Sequence, residues 1–189
     1  MELSETAPRP GALDFVRALP RTSQIVVGLV SVTLAAACFV RFGLSGRAAV
    51  GATFAVVLVV LSAIDLDCRL IPNVILLPTL AVLLAAQIVL YPDRTLEWVL
   101  ASAGAALFLF LPLLVIPTGM GMGDIKLAAL LGAVLGRSVV SAILIALLAG
   151  GVFSAAVLVR EGLGARKKAI PYGPFLAIGG VLVLLLGGR

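Results

Sequence analysis

Six runs of apolar residues, each about as long as a bilayer is thick, leave this chain few folds to choose from. They fall at about Gln24–Val40, Ala48–Ile64, Val74–Leu90, Glu97–Ile116, Ser138–Val159 and Pro171–Gly188. A helix rises about 1.5 Å per residue, so runs of roughly 17 to 22 residues cross a hydrocarbon core of about 30 Å with little tilt to spare. Backbone N–H and C=O groups in lipid must find partners within the protein, and a helix supplies them within one segment. A shorter run, Asp124–Leu135, is entered through glycines and closed by Gly136 and Arg137. A helix this short spans only where the bilayer is thinned or where protein shelters it. The expected fold is all-α, a polytopic membrane helix bundle with about six full spans plus one short helix after the GMGD motif.

Composition agrees with that reading. Of the 189 residues, 62% are hydrophobic and 12% are charged, which is outside the range of soluble domains. Residues 1–23 carry Glu2, Glu5 and Asp14 against Arg9, Arg17 and Arg21, unlike the basic start of a signal peptide. They read as a cytoplasmic N-terminal tail, and residues 24–189 as a single transmembrane domain.

The net charge of +5 reports orientation, since Lys and Arg in such a chain mark cytoplasmic loops. It is no argument for nucleic acid; the surroundings it implies are membrane lipid. With the N-terminus inside, the inner segments hold Arg9, Arg17, Arg21, Arg69, Lys126, Arg160, Arg166, Lys167 and Lys168. The outer segments hold Arg41, Arg47, Arg94, Arg137 and Arg189. The excess favours this topology in the inner (cytoplasmic) membrane, and it sets Tyr91 and Trp98 at the outer interface, where aromatic rings are favoured.

The chain has no histidine, and its two cysteines, Cys38 and Cys68, form no CxxC pair. Imidazole bases and the usual zinc ligand sets are therefore missing, and no cofactor or metal is expected.

Acids decide the chemistry. Glu2, Glu5 and Asp14 belong to the tail, Asp93 and Glu97 to an outer loop, and Glu161 to the basic inner loop, which leaves Asp65, Asp67 and Asp124. The topology brings these three to the same membrane face. An ionisable group at membrane depth is expensive and is usually functional. Plainer roles also exist: Asp124 as the cap of the short helix, and Asp65 and Asp67 as a solvated helix end beside Arg69. Asp65 and Asp67, two apart, point to different sides of a helix, so only one can face Asp124. Asp65, directly after Ile64, is the deeper. Gly119, Gly121 and Gly123 alternate before Asp124; they serve either as helix-packing surface or as a place where another backbone comes close to the acid.

These residues carry a resemblance. The segment AIDLDCRLIPN (Ala63–Asn73), the later GMGDIKL (Gly121–Leu127) and the closing AIPYGPFLAIGG (Ala169–Gly180) are together similar to the type IV prepilin peptidases, intramembrane aspartyl proteases of the GxGD type. The resemblance implies Asp65 and Asp124 as the catalytic pair, and Asp67, Pro72, Gly121, Gly123 and Lys126 as site-shaping residues. It implies as substrate a prepilin or pseudopilin, whose short basic leader is cut at the cytoplasmic membrane face. Longer members carry two CxxC pairs linked to N-methylation, which this sequence does not supply; the resemblance is to the short, peptidase-only form.

Peptide hydrolysis by two carboxylates needs one ionised group to activate water and one protonated group to donate to the carbonyl oxygen. Two carboxyls that lie close share a proton, and the titration then belongs to the pair. Lys126 either tunes its neighbour Asp124 or anchors the helix at the headgroups. Two other readings stay open from residues alone. A small proton-coupled transporter would use membrane acids as relays, though nearer mid-span; a non-catalytic component of a pilus or secretion apparatus would use them as caps.

Overall fold

The computed structural model describes residues 12–115, 121–161 and 171–187. Arg9, Gly119, Arg189 and the basic cluster Arg166, Lys167 and Lys168 lie outside the described residues. Within them, all regular structure is helical: α1 (Ala12–Ala18), α2 (Arg21–Phe42), α3 (Gly46–Cys68), α4 (Asn73–Leu90), α5 (Thr95–Val115), α6 (Met122–Leu135), α7 (Val139–Glu161) and α8 (Gly173–Leu186). Short 3-10 turns at Pro92–Arg94 and Gly136–Ser138 lead into α5 and α7. Counting α6 and α7 as one stretch, five described stretches are long and apolar enough to cross a membrane, and α8 is a shorter apolar helix. This is the architecture of a multi-pass membrane protein.

Each apolar run forms a helix. The last one is shorter than a full span: α8 has 14 residues, about 21 Å of rise. Its start is set by Pro174, whose fixed φ suits the first turn and whose missing N–H costs nothing there. The short α1, within the tail, is separated from α2 by Pro20.

Side-chain bonds and close approaches give the register of the bundle. Along α5 and α6, Ser102 Oγ donates to the Ala129 carbonyl at 2.9 Å and Glu97 Oε1 accepts from the Arg137 backbone N–H, so these helices run antiparallel. A Cβ added at Gly132 would collide with the Ala101 carbonyl and stand 2.6 Å from Ser102 Cα; no side chain fits, and the two backbones touch there. Along α4 and α6, Lys126 bonds Asn73 and Gln87 Nε2 donates to the Val134 carbonyl at 2.9 Å, which makes them parallel. Asp65 meets Gly173 while Gly51 lies against Leu184, so α3 and α8 are antiparallel.

The short α6 sits at the centre of this arrangement, packed against α3, α4, α5, α7 and α8. From Asp124 to Val134 every residue but Lys126 is buried. Protein shelters the helix that is too short to span alone, the second of the two conditions a short run requires. The outer helix α2 does the opposite, exposing Val26, Leu29, Val32 and Val40, an apolar surface suited to lipid.

Candidate active site

The register brings four helix ends together: the C-terminus of α3 and the N-termini of α4, α6 and α8. Local sequence makes each of these ends. α3 stops where Arg69 takes up a left-handed conformation (φ 51°) and its N–H bonds the Asp65 carbonyl at 2.9 Å. Pro72 then disfavours a helical Ile71 and opens α4, its carbonyl accepting from the N–H groups of Ile75 and Leu76. Gly121, in extended conformation, opens α6.

Asp65 is 5% exposed and Asp124 is 8% exposed. Asp65 Oδ2 accepts a hydrogen bond from the backbone N–H of Gly173 at 3.0 Å. Gly173 is the first residue of α8, and the first N–H groups of a helix have no intrahelical acceptor and sit at the positive end of its dipole. The bond therefore satisfies a donor and stabilises a buried oxygen at once. Asp124 is the third residue of α6; its Oδ2 accepts from the Gly121 N–H at 3.3 Å while its own N–H donates to the Gly121 carbonyl at 3.1 Å. The capping role open to Asp124 is thus real, though from inside the first turn. Only one oxygen of each carboxyl is engaged by these bonds, and neither acid has an ion-pair partner among the described residues. The two carboxyls are within electrostatic range of each other.

The site-shaping candidates separate. Asp67 is exposed, with Cys68 Sγ 3.7 Å from its Oδ2; of the two acids in this motif, Asp65 alone is buried. Pro72 is buried. Gly123 lies against the first motif: a Cβ there would stand 2.8 Å from Ile71 Cβ, so this glycine allows the two motif loops to meet. Gly121 is open, the nearest side-chain atom to an added Cβ being Asp124 Oδ2 at 3.6 Å. Lys126 Nζ donates to Asn73 Oδ1 at 2.8 Å, which ties the start of α6 to the start of α4.

Three residues at this site had no individual role in the sequence reading: Asn73, Tyr172 and Gly173. Tyr172 precedes α8, packs with its ring 6.0 Å from Phe175 and lies within electrostatic range of Asp124. A Cβ at Gly150 would come within 2.8 Å of the Tyr172 ring, so α7 hugs the tyrosine. A Cβ at Gly173 would lie 2.8 Å from Asp65 Oδ2; the glycine is required for the carboxylate to approach the helix end. Tyr-Gly-Pro did carry a signal, because proline in a first helical turn marks the free N–H groups beside it.

Chemically, the arrangement offers two buried carboxyls, backbone donors holding one oxygen of each, and, among the described residues, no ion-pair partner for either.

The curated relatives of this chain include the Prepilin leader peptidase/N-methyltransferase of Bacillus subtilis (strain 168), 34% identical over 160 residues that make up 84% of this chain and 64% of that protein. The protein of the same name from Burkholderia pseudomallei (strain 1026b) is 32% identical over 168 residues, 86% of this chain and 54% of that one. That of Aeromonas hydrophila is 37% identical over 139 residues, 69% and 47% respectively. The chain thus spans about half to two thirds of the length of these relatives. No solved structure matches it significantly. The profile of the Type IV leader peptidase family matches residues 52–157, a stretch that includes both buried aspartates, and the chain belongs to that family.

Proposed function

We propose that the protein is an intramembrane aspartyl endopeptidase that cleaves the short basic leader from type IV prepilins or prepilin-like proteins, with Asp65 and Asp124 as its catalytic pair. The observation that carries this reading is the placement of two buried carboxyls from separate motifs, without an ion pair among the described residues, at the converging ends of α3, α4, α6 and α8. Burying acids is unfavourable, and sharing one proton between two of them lowers that cost.

In this reading one carboxylate takes a proton from water as its oxygen attacks the scissile carbonyl carbon, and the protonated partner donates to the carbonyl oxygen. The tetrahedral gem-diol then collapses: the C–N bond breaks, the leaving amine takes the proton that the first carboxyl drew from water, and a gem-diol hydroxyl gives its proton to the pair as the new carbonyl forms, which returns the pair to one shared proton. The Gly173 and Gly121 N–H groups hold the outer oxygens in place, and Tyr172 and the Lys126–Asn73 bond position the helix ends. The inside-positive count of basic residues supports a position of this end at the cytoplasmic face of the inner membrane, where the junction between a basic leader and an apolar mature helix would lie. The proposal concerns leader cleavage alone.

Co-expression with a prepilin-like substrate, followed by mass of the product, tests it. Wild type should release the mature protein, while Asp65→Asn and Asp124→Asn, at equal membrane levels, should leave it uncut. Full cleavage by either variant would remove that acid from the pair.

A further inference from the structure

The end of the bundle away from the aspartates holds a second cavity that leader cleavage does not use. It measures about 270 Å³, and Arg47, Gln87, Arg94, Glu97, Trp98 and Arg137 are among its walls. Two of these side chains are buried with a polar atom unsatisfied. Gln87, 4% exposed, donates through Nε2 to Val134, but its Oε1 accepts nothing; Trp98, 6% exposed, has an Nε1–H without an acceptor. Buried polar atoms are seldom left so. Neither atom is open to the cavity, whose walls are polar chiefly through the arginines.

Charge adds to this. Glu97 accepts from Arg94 Nε at 3.1 Å and Nη2 at 2.9 Å, and Arg137 Nε stands 3.6 Å from it. A guanidinium has five N–H donors, so both arginines keep some for another group. Arg47 lies over the Phe42 ring at 4.8 Å and makes no ion pair among the described residues. With Asp93 included, three cations stand against two anions, an excess of one positive charge.

From the same arginines opens an apolar groove of about 900 Å³ between α5 and α7. Arg94, Glu97 and Arg137 line both spaces. Leu100, Gly104 and Phe108 form one side of the groove, Val140 and Leu144 the other. Its floor is open at Gly104, where a Cβ would meet nothing within 4 Å.

We propose that the two spaces together bind one anionic phospholipid, its phosphodiester in the arginine cavity and an acyl chain in the α5–α7 groove. A phosphodiester has one negative charge, equal and opposite to the excess, and its oxygens accept from the arginines. A choline headgroup carries its own cation, which cancels the phosphodiester's charge and leaves the arginine excess unmatched. Continuity with the groove favours a lipid over free phosphate. The arginines favour it over an apolar peptide helix, which brings no phosphate.

Native mass spectrometry of the purified full chain, offered phosphatidylglycerol and phosphatidylcholine at equal concentration, tests this. Glycerol 3-phosphate and an apolar helical peptide of prepilin type serve as competitors. Wild type should retain one phosphatidylglycerol in preference to phosphatidylcholine, with neither competitor displacing it. Arg47→Gln and Arg137→Gln should each weaken retention about fivefold, and Gly104→Phe, which enters open space, should weaken it at least as much. Thermal unfolding of each variant separates a lost site from a lost fold. Equal retention of the two lipids, or retention unchanged in all three variants, would overturn the proposal. Displacement by glycerol 3-phosphate would make this a headgroup-only anion site, and displacement by the peptide a peptide groove; either also overturns it.

Discussion

The two ends of the bundle treat their carboxylates in opposite ways. Glu97 is held by two arginines, Arg94 at 2.9 Å and Arg137 at 3.6 Å, whose side chains are 48% and 87% exposed. Asp65 and Asp124 are buried, have no ion pair among the described residues, and rest on backbone N–H groups at 3.0 and 3.3 Å. An arginine fixes a carboxylate in its ionised form and leaves it nothing to do with protons. Backbone donors at a helix start stabilise an acid without adding a charge that would fix it in its ionised form. Under the proposed function, the difference separates an acid used to join helices from a pair used for acid–base work.

The largest effect expected from this contrast is at the pair. Asp65→Asn or Asp124→Asn should lower the rate of leader cleavage by roughly 10³-fold or more, and the double variant should be no worse than either single one, since groups that act as a unit are not additive. Single-turnover rates in reconstituted membranes measure this; additive losses would break the unit apart. Next comes Gly173→Ala, whose Cβ would stand 2.8 Å from Asp65 Oδ2. Displacing that carboxyl should cost about 10²-fold in rate, while Gly151→Ala, where a Cβ meets nothing within 4 Å, should cost nothing in the same assay. A smaller loss, about fivefold, is expected for Asn73→Ala, which removes the exposed partner of Lys126; kinetics of Lys126→Met should match it if the two act only through each other. Smallest is Glu97→Gln at the opposite end. Its partners are solvent-exposed, so stability to thermal or denaturant unfolding should fall by less than about 1 kcal/mol, with leader cleavage unchanged.

Much of this was legible before any coordinates. The lengths of the apolar runs mark each long helix, because a backbone in lipid has so few ways to satisfy itself. The depth of Asp65 relative to Asp67 also follows from position, and burial separates them as that position implies. Local signals failed where partners come from afar. The Gly173 N–H that holds Asp65 is 108 residues away, and nothing in its neighbours names its acceptor. Gly123 reads as an invitation to an incoming backbone, yet Ile71 of this same chain fills the space.

Sequence alone therefore determined the class, the helices, and the acids worth attention, since run length and the rarity of charge in lipid act residue by residue. Which helix is central was decided only by the tertiary structure. Lipid is as apolar as leucine, so hydrophobicity cannot tell a core helix from an outer one. The choice falls to shape: Gly132 against the backbone of Ala101 and Ser102 lets α6 sink among its neighbours, and Asp124 is buried with it at the end of the bundle that holds Asp65.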